Sequence, residues 1–160
     1  MATQDWDTEL DLLVVGSGAA GLTAAVVGAN EGLSVAVLEK TPYFGGTSAL
    51  SGGVVWIPNN PLMLEAGIED SPQQALTYLK HNIGNRVASA KLEAFISQAP
   101  RMVEYLLANS RMAFQITHGF PDYRPETPGG CQGGRSIDPK VVAGVELGET
   151  LNELRAATTV

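Results

Sequence analysis

Residues Leu10 to Val15 form an apolar run, interrupted only by Asp11, that stops at Gly16-Ser17-Gly18-Ala19-Ala20-Gly21. No other feature of the chain constrains its fold so tightly. A G-x-G-x-x-G is weak by itself. Here it follows directly on a strand-like run and opens an Ala/Leu/Val-rich stretch from Ala19 to Ala29, and that strand–turn–helix context gives the motif meaning. Gly16 permits the tight turn. Gly18 lacks a Cβ, so the backbone can approach a pyrophosphate, and Gly21 lets the helix pack close to the strand. The helix start at Ala19 and Ala20 then presents N–H groups and the positive dipole end to phosphates.

Asn30-Glu31-Gly32 reads as a helix stop, and Ser34 to Leu38 as a second apolar run. Strand, helix and strand within about thirty residues make one βαβ unit. Such short apolar runs predict strands buried on both faces, as in a parallel sheet. Glu39 follows the second strand, where an acid accepts hydrogen bonds from adenosine ribose hydroxyls and repels the 2′-phosphate of NADP. Lys40, counted with the cofactor residues, reads as a solvated charge beside it. The competing reading is a plain turn with a surface carboxylate at Glu39.

The motif does not separate NAD from FAD; the next segment does. Glycine fills 18 of the 160 positions, above the usual ~7%, and a second cluster lies at Phe44-Gly45-Gly46-Thr47-Ser48-Ala49-Leu50-Ser51-Gly52-Gly53. An ordinary NAD-dependent dehydrogenase would place a crossover helix there. Gly45, Gly46, Gly52 and Gly53 let backbone approach a ligand, while Thr47, Ser48 and Ser51 bring hydroxyls that bond phosphate, ribitol or flavin ring atoms. This suits FAD, whose second half runs on from the pyrophosphate. A flexible Gly/Ser loop is the alternative.

A formal charge of −7 argues against nucleic acid as the main partner, because phosphate neutralisation needs clustered Lys and Arg. One cysteine, Cys131, and two distant histidines, His81 and His118, provide neither an internal disulfide nor metal-ligand spacing. No apolar run approaches the ~20 residues of a membrane span, and the acidic N-terminus with its short apolar stretch is not a signal peptide. A soluble, cytoplasmic protein is expected.

Downstream, Ser71-Pro72-Gln73-Gln74 predicts a capped helix start, running to about Asn82 and stopping at Gly84. Leu92, Phe95, Ile96, Ala99, Val103, Leu106 and Leu107 recur at helical spacing and predict a core-facing helix over 89–108, kinked or restarted at Pro100. Ala113 to Thr117 suits a short strand, and Gly119 to Pro139 an irregular excursion dense in Gly and Pro. Leu147, Leu151 and Leu154 lie on one face of a last helix. The fold class is therefore α/β, a Rossmann-like βαβ unit with additional helices. Residues 1–118 are assigned to an FAD-binding domain with the helices of 71–109, and 119–160 to a loop and helix leading toward a substrate domain. Two strands are fewer than a doubly wound sheet needs, so a fragment of a larger two-domain flavoprotein is expected.

Leu12-Leu13-Val14-Val15-Gly16-Ser17-Gly18-Ala19-Ala20-Gly21, Leu38-Glu39-Lys40 and Gly45-Gly46-Thr47-Ser48 in order resemble the FAD-dependent fumarate reductase/ketosteroid dehydrogenase superfamily. Ser51-Gly52-Gly53-Val54-Val55-Trp56-Ile57-Pro58, Phe120-Pro121-Asp122-Tyr123 and Gly134-Arg135-Ser136-Ile137 look like its 3-ketosteroid dehydrogenase branch. The resemblance implies an N-terminal part of a longer enzyme. It implies α-proton abstraction beside a ketone, hydride transfer to flavin N5, an external electron acceptor and a steroid substrate. It makes Tyr123 an active-site tyrosine and Phe120 a wall of an apolar substrate pocket. Succinate-oxidising members attach FAD through a histidine near the Thr-containing segment; none stands there, which implies non-covalent FAD.

Other readings stay open beside these. Tyr123 would otherwise pin a Pro-rich loop to the core, and Phe120 would simply pack. Asp122 reads as a turn residue rather than an acid catalyst. Arg135 binds an anion or satisfies loop carbonyls, and Trp56 and Ile57 cover the flavin edge or the core. A dicarboxylate enzyme of fumarate-reductase type is the enzymatic alternative, and a truncated, non-catalytic FAD-binding fragment the other.

Overall fold

The computed structural model describes residues 6–156. They fall into two units: the first takes in the chain up to Gly52 and resumes at Val142, and the second is Gly53–Val141.

In the first unit, β1 (Leu12–Val15) pairs in parallel with β2 (Val35–Leu38), Leu12 opposite Val35 and Val15 opposite Leu38. Helix α1 (Ala19–Asn30) connects them. Its close seating depends on Gly28, where a Cβ would stand 2.6 Å from Leu12 Cδ2 and 3.1 Å from Val35 Cγ2. The helix ends in a Schellman motif: Leu33 N–H donates to Gly28 O, Gly32 N–H donates to Ala29 O, and Gly32 takes φ 82°. Asp11, which interrupts the apolar run, ties the strand starts together by accepting from the Ser34 amide at 2.9 Å and hydroxyl at 2.6 Å. Those bonds hold its carboxyl below the ordinary range.

The expectation of strands buried on both faces is corrected. Val14 is buried, but Leu13 is 52% and Val15 81% exposed. Side chains alternate across a strand, and α1 covers only the face carrying Leu12 and Val14; among the described residues of this unit no second layer covers the other. The predicted last helix is also corrected. Gly144–Glu153 is 3₁₀, broken at Gly148 (φ 56°, ψ −134°), so Leu147 and Leu151 remain partly exposed. A left-handed glycine ends the phase that would have put the leucines on one α-helical face.

The second unit is an antiparallel sheet, in the order β3 (Val55–Trp56), β5 (Ser136–Pro139), β4 (Phe114–Ile116), with three helices. These are α2 (Pro61–Glu65), α3 (Pro72–Ile83) and α4 (Ser89–Asn109). Ser71 caps α3 as expected, its hydroxyl accepting from the Gln74 amide at 3.1 Å, and Gly84 ends it with φ 63°. Pro100 neither stops nor restarts α4, which runs as one helix. Leu92, Ile96, Ala99, Val103 and Leu106 are buried as the spacing predicts, whereas Phe95 and Leu107 stay partly exposed. Ile57, Ala99, Val103, Phe114 and Ile137 form the core.

Strands β3 and β5 and helix α2 were not foreseen. β5 lies within the stretch expected to be irregular; its Ile137 is fully buried between Val55 and Ile116 in the sheet register. The expected domain boundary at 118/119 falls inside this second unit, where β4 and β5 pair across it.

Candidate cofactor site

The first unit holds a cleft of about 580 Å³ where β1 and β2 end. Gly16, Gly18, Glu39, Lys40, Gly46 and Thr47 line it, together with Ser17, Thr41 and Arg155. Gly16 turns the chain out of β1 with φ 94°, a conformation that favours glycine. A Cβ on Gly21 would run into the Gly16 carbonyl oxygen, so this glycine serves helix–strand packing. Gly18 is the N-cap of α1 and its Cβ position meets only Ser48 Oγ at 3.7 Å. The protein itself therefore leaves the space at Gly18 open for a ligand.

Two glycine loops meet here. A Cβ on Gly46 would come within 3.2 Å of Gly18 Cα, and Gly45 N–H donates to Ser17 O at 3.1 Å and Ser17 Oγ at 3.0 Å. Ser48 Oγ accepts from the Ala19 amide at 3.1 Å. Among the described residues no protein acceptor meets the amides of Gly18, Ala20 and Gly21. Such first-turn donors, at the positive end of a helix, suit the oxygens of a pyrophosphate.

Glu39 sits at the other end of this arrangement. One carboxylate oxygen accepts from Ser17 Oγ at 2.6 Å and Ser17 N at 3.2 Å, the other from Thr41 N at 3.1 Å. The Ser17 hydroxyl bond first, then the Ser17 and Thr41 amides, pull its pKa down from 4.5 to about 2. Glu39 is thus held ionised and oriented by these three donors, with the chemistry of a hydroxyl acceptor. The donor set fits the adenosine and pyrophosphate of a dinucleotide.

Of the other expected cofactor residues, Gly45 (φ 107°) packs against Ala49 and Leu154 and supports the loop. Ser51 donates from its hydroxyl to Ser48 O at 2.9 Å, and neither it nor Gly52 lines the cleft. Gly53 belongs to the second unit, its Cβ position 3.1 Å from Pro139. Ser17 and Thr41 were missed. Ser17 is the variable position between two motif glycines, and its hydroxyl was the available signal.

The second unit carries the expected substrate residues. Tyr123 is fully exposed and Phe120 half-exposed, so Tyr123 does not pin the loop to the core. Its neighbours do that. Asp122 is buried, not a plain turn residue, and accepts from Trp56 Nε1 at 2.6 Å and the Cys131 amide at 2.9 Å. Arg124 N–H donates to Tyr78 Oη at 3.4 Å. Arg135, 1% exposed, pairs with Asp70 at 2.6 Å and with Asp122 at 2.7 Å and donates to Gly129 O at 3.0 Å. The option that it binds an external anion is corrected: its donors are committed inside the protein. Trp56 stacks on Phe95 at 6.1 Å and packs within the second unit. A larger cleft of about 820 Å³, between Asn59 and Gln74, has no glycine loop with open amides.

A parallel βαβ unit with an ionised carboxylate at the end of β2 and two glycine loops defines a dinucleotide-binding flavoprotein. The chain belongs to the FAD-binding domain family, which it matches over residues 11–159, and its cofactor is FAD. It is 44% identical to the 3-oxosteroid 1-dehydrogenase of Mycobacterium tuberculosis over 93% of this chain and 26% of that protein. It is 40% identical to a 4-oxocyclohexanecarboxylate 2-dehydrogenase of Sinomonas cyclohexanicum over 91% of this chain and 26% of that one. The crystal structure of 3-ketosteroid Δ1-dehydrogenase from Sterolibacterium denitrificans, in complex with 1,4-androstadiene-3,17-dione, superposes with a TM-score of 0.86 and 45% identity. That likeness covers 92% of this chain and 26% of the other. The chain therefore spans about a quarter of the length of the relatives it matches.

Proposed function

We propose that this chain holds the adenosine–pyrophosphate half of FAD, bound non-covalently, within an enzyme that introduces a C=C bond beside the ketone of a steroid ring. The observation that carries the reading is Glu39, fixed by Ser17 and Thr41 in the cleft that Gly16, Gly18 and Gly46 also line. Glu39 receives the ribose hydroxyls, and the amides of Gly18, Ala20 and Gly21 face the phosphates. When bound, FAD supplies a two-electron acceptor for oxidation of the substrate. Neither histidine, His81 nor His118, stands near the Gly45-Gly46-Thr47-Ser48 segment in the sequence, which supports the non-covalent reading.

The names of the relatives support the reaction class, since both describe dehydrogenation of a ring bearing a ketone. Tyr123 presents its hydroxyl outward between the anchored Asp122 and Arg124. A neutral phenol there donates to a ketone oxygen and stabilises charge that builds up on it as an α-proton leaves; Phe120 supplies apolar contact. An external acceptor then reoxidises the enzyme. The dicarboxylate alternative needs converging arginines, and Arg135 is already paired. No helix among the described residues is long and apolar enough to cross a membrane.

Titrating the chain with FAD and following flavin absorbance and fluorescence tests the cofactor half; a chain that takes up no FAD refutes it. Anaerobic bleaching of the flavin by a 3-ketosteroid, in the full-length enzyme carrying this sequence, tests the substrate half. Absence of bleaching, with reoxidation of reduced flavin by fumarate, overturns it in favour of the dicarboxylate reading.

A further inference from the structure

The cofactor cleft has one wall residue that lies far along the chain from both glycine loops. Phe44 N–H donates to Glu153 O at 2.8 Å and Arg155 N–H to Phe44 O at 2.9 Å, a parallel bridge that lays residues 153–155 against the second glycine loop. The bridge brings the Arg155 side chain to the cleft. There Nη2 donates to Thr41 Oγ1 at 2.9 Å. Its Nε is enclosed by protein, and no acceptor meets it among the described residues. No described carboxylate forms an ion pair with it. A guanidinium has five N–H donors in a plane and a face that stacks on aromatic rings. Nη1 also meets no protein acceptor among the described residues and is not enclosed, so it is the donor that faces a ligand acceptor in the cleft.

We propose that Arg155 is a cofactor-binding residue that recognises the adenosine end of FAD, closing the cleft over the adenine. Thr41 decides which end. Its amide donates to Glu39, the ribose acid, and its hydroxyl receives Arg155. The phosphate-facing amides, by contrast, belong to the first turn of α1. Arg155 therefore faces the base and ribose, where its plane stacks on adenine or donates to the ring nitrogens. The proposal rests on the FAD reading above.

The test is FAD titration of the wild-type chain and of Arg155→Met and Arg155→Lys, followed by flavin fluorescence, with thermal melts of each apoprotein. FMN and ADP serve as probes of the two halves. Wild-type binding of FAD establishes the underlying reading; its absence refutes that reading, not the assignment of Arg155. Given wild-type binding, Arg155→Met is expected to weaken FAD and ADP alike by about tenfold, leaving FMN binding and the apoprotein melt unchanged. Arg155→Lys should recover little, because an ammonium lacks the plane. Equal FAD affinity in wild type and Arg155→Met overturns the proposal. So does a loss that extends equally to FMN, or one matched by a fall in the apoprotein melting temperature.

Discussion

Arg135→Met separates charge compensation from packing in the second unit. Methionine keeps much of the apolar bulk against Trp56 and Tyr78, whose ring centroids lie 5.5 and 5.7 Å from the guanidinium carbon. What disappears are four hydrogen bonds from the guanidinium: Nε to Asp70 at 2.9 Å, Nη2 to Asp70 at 2.6 Å, Nη1 to Asp122 at 2.7 Å and Nη1 to Gly129 O at 3.0 Å. Asp70 keeps the amides of Asn59 and Ser71, and Asp122 keeps Trp56 Nε1 and the Cys131 amide. Neither keeps a cation. Breaking a buried ion pair from one side costs about 3–5 kcal/mol, a large part of the ~5–15 kcal/mol typical of a folded domain. Urea unfolding read by tryptophan fluorescence measures it, because Trp56 sits against the triad while Trp6 is 75% exposed and contributes a steady background. Combining Arg135→Met with Asp70→Asn and Asp122→Asn removes the uncompensated charge and should recover most of the loss. If Arg135→Met costs under ~1 kcal/mol, or the triple variant is no better than the single, the charge argument is wrong.

Three further outcomes are expected. Ser17→Ala removes the largest cause of the low Glu39 pKa, so a carboxyl ¹³C titration should show it rising from about 2 toward 4.5, with weaker FAD binding. Since the folded pKa is depressed, the wild-type contribution of Glu39 to stability is complete above 4.5 and fades as pH falls toward about 2; Ser17→Ala should shrink it, and an unmoved titration would refute the assignment. Gly21→Ala drives a Cβ into the Gly16 carbonyl and should destabilise by about 1–3 kcal/mol while reducing FAD uptake; a melt and an FAD titration matching wild type would contradict it. Ser71→Ala loses the α3 cap and should cost about 1 kcal/mol in urea unfolding. The exposed Ser89→Ala, which forfeits only a bond to Glu93, should stay within about 0.5 kcal/mol.

The legible features share a short range. The turn at Gly16, the stop at Gly32, the cap at Ser71 and the core stripe of α4 each depend on residues a few positions apart. Propensity and periodicity report such features directly. Strand burial failed for a different reason: an apolar run states what a strand can bury, and only neighbouring layers decide how much it does. Gly148 broke the last helix because spacing of leucines carries no information on backbone φ.

Sequence alone determined the βαβ unit, the place of Glu39 at the end of β2 and the second glycine loop, because close backbone approach demands glycine at particular local positions. Tertiary structure alone decided that Ser17 and Thr41 grip Glu39, that Arg135 is sealed between Asp70 and Asp122, and that Arg155 reaches the cleft. Apart from Thr41–Glu39, two positions apart, those contacts span from 13 positions at Arg135–Asp122 through 22 at Ser17–Glu39 and 65 at Arg135–Asp70 to 114 at Thr41–Arg155. Charge pairing and hydrogen-bond satisfaction at such separations are settled only when the chain has closed on itself.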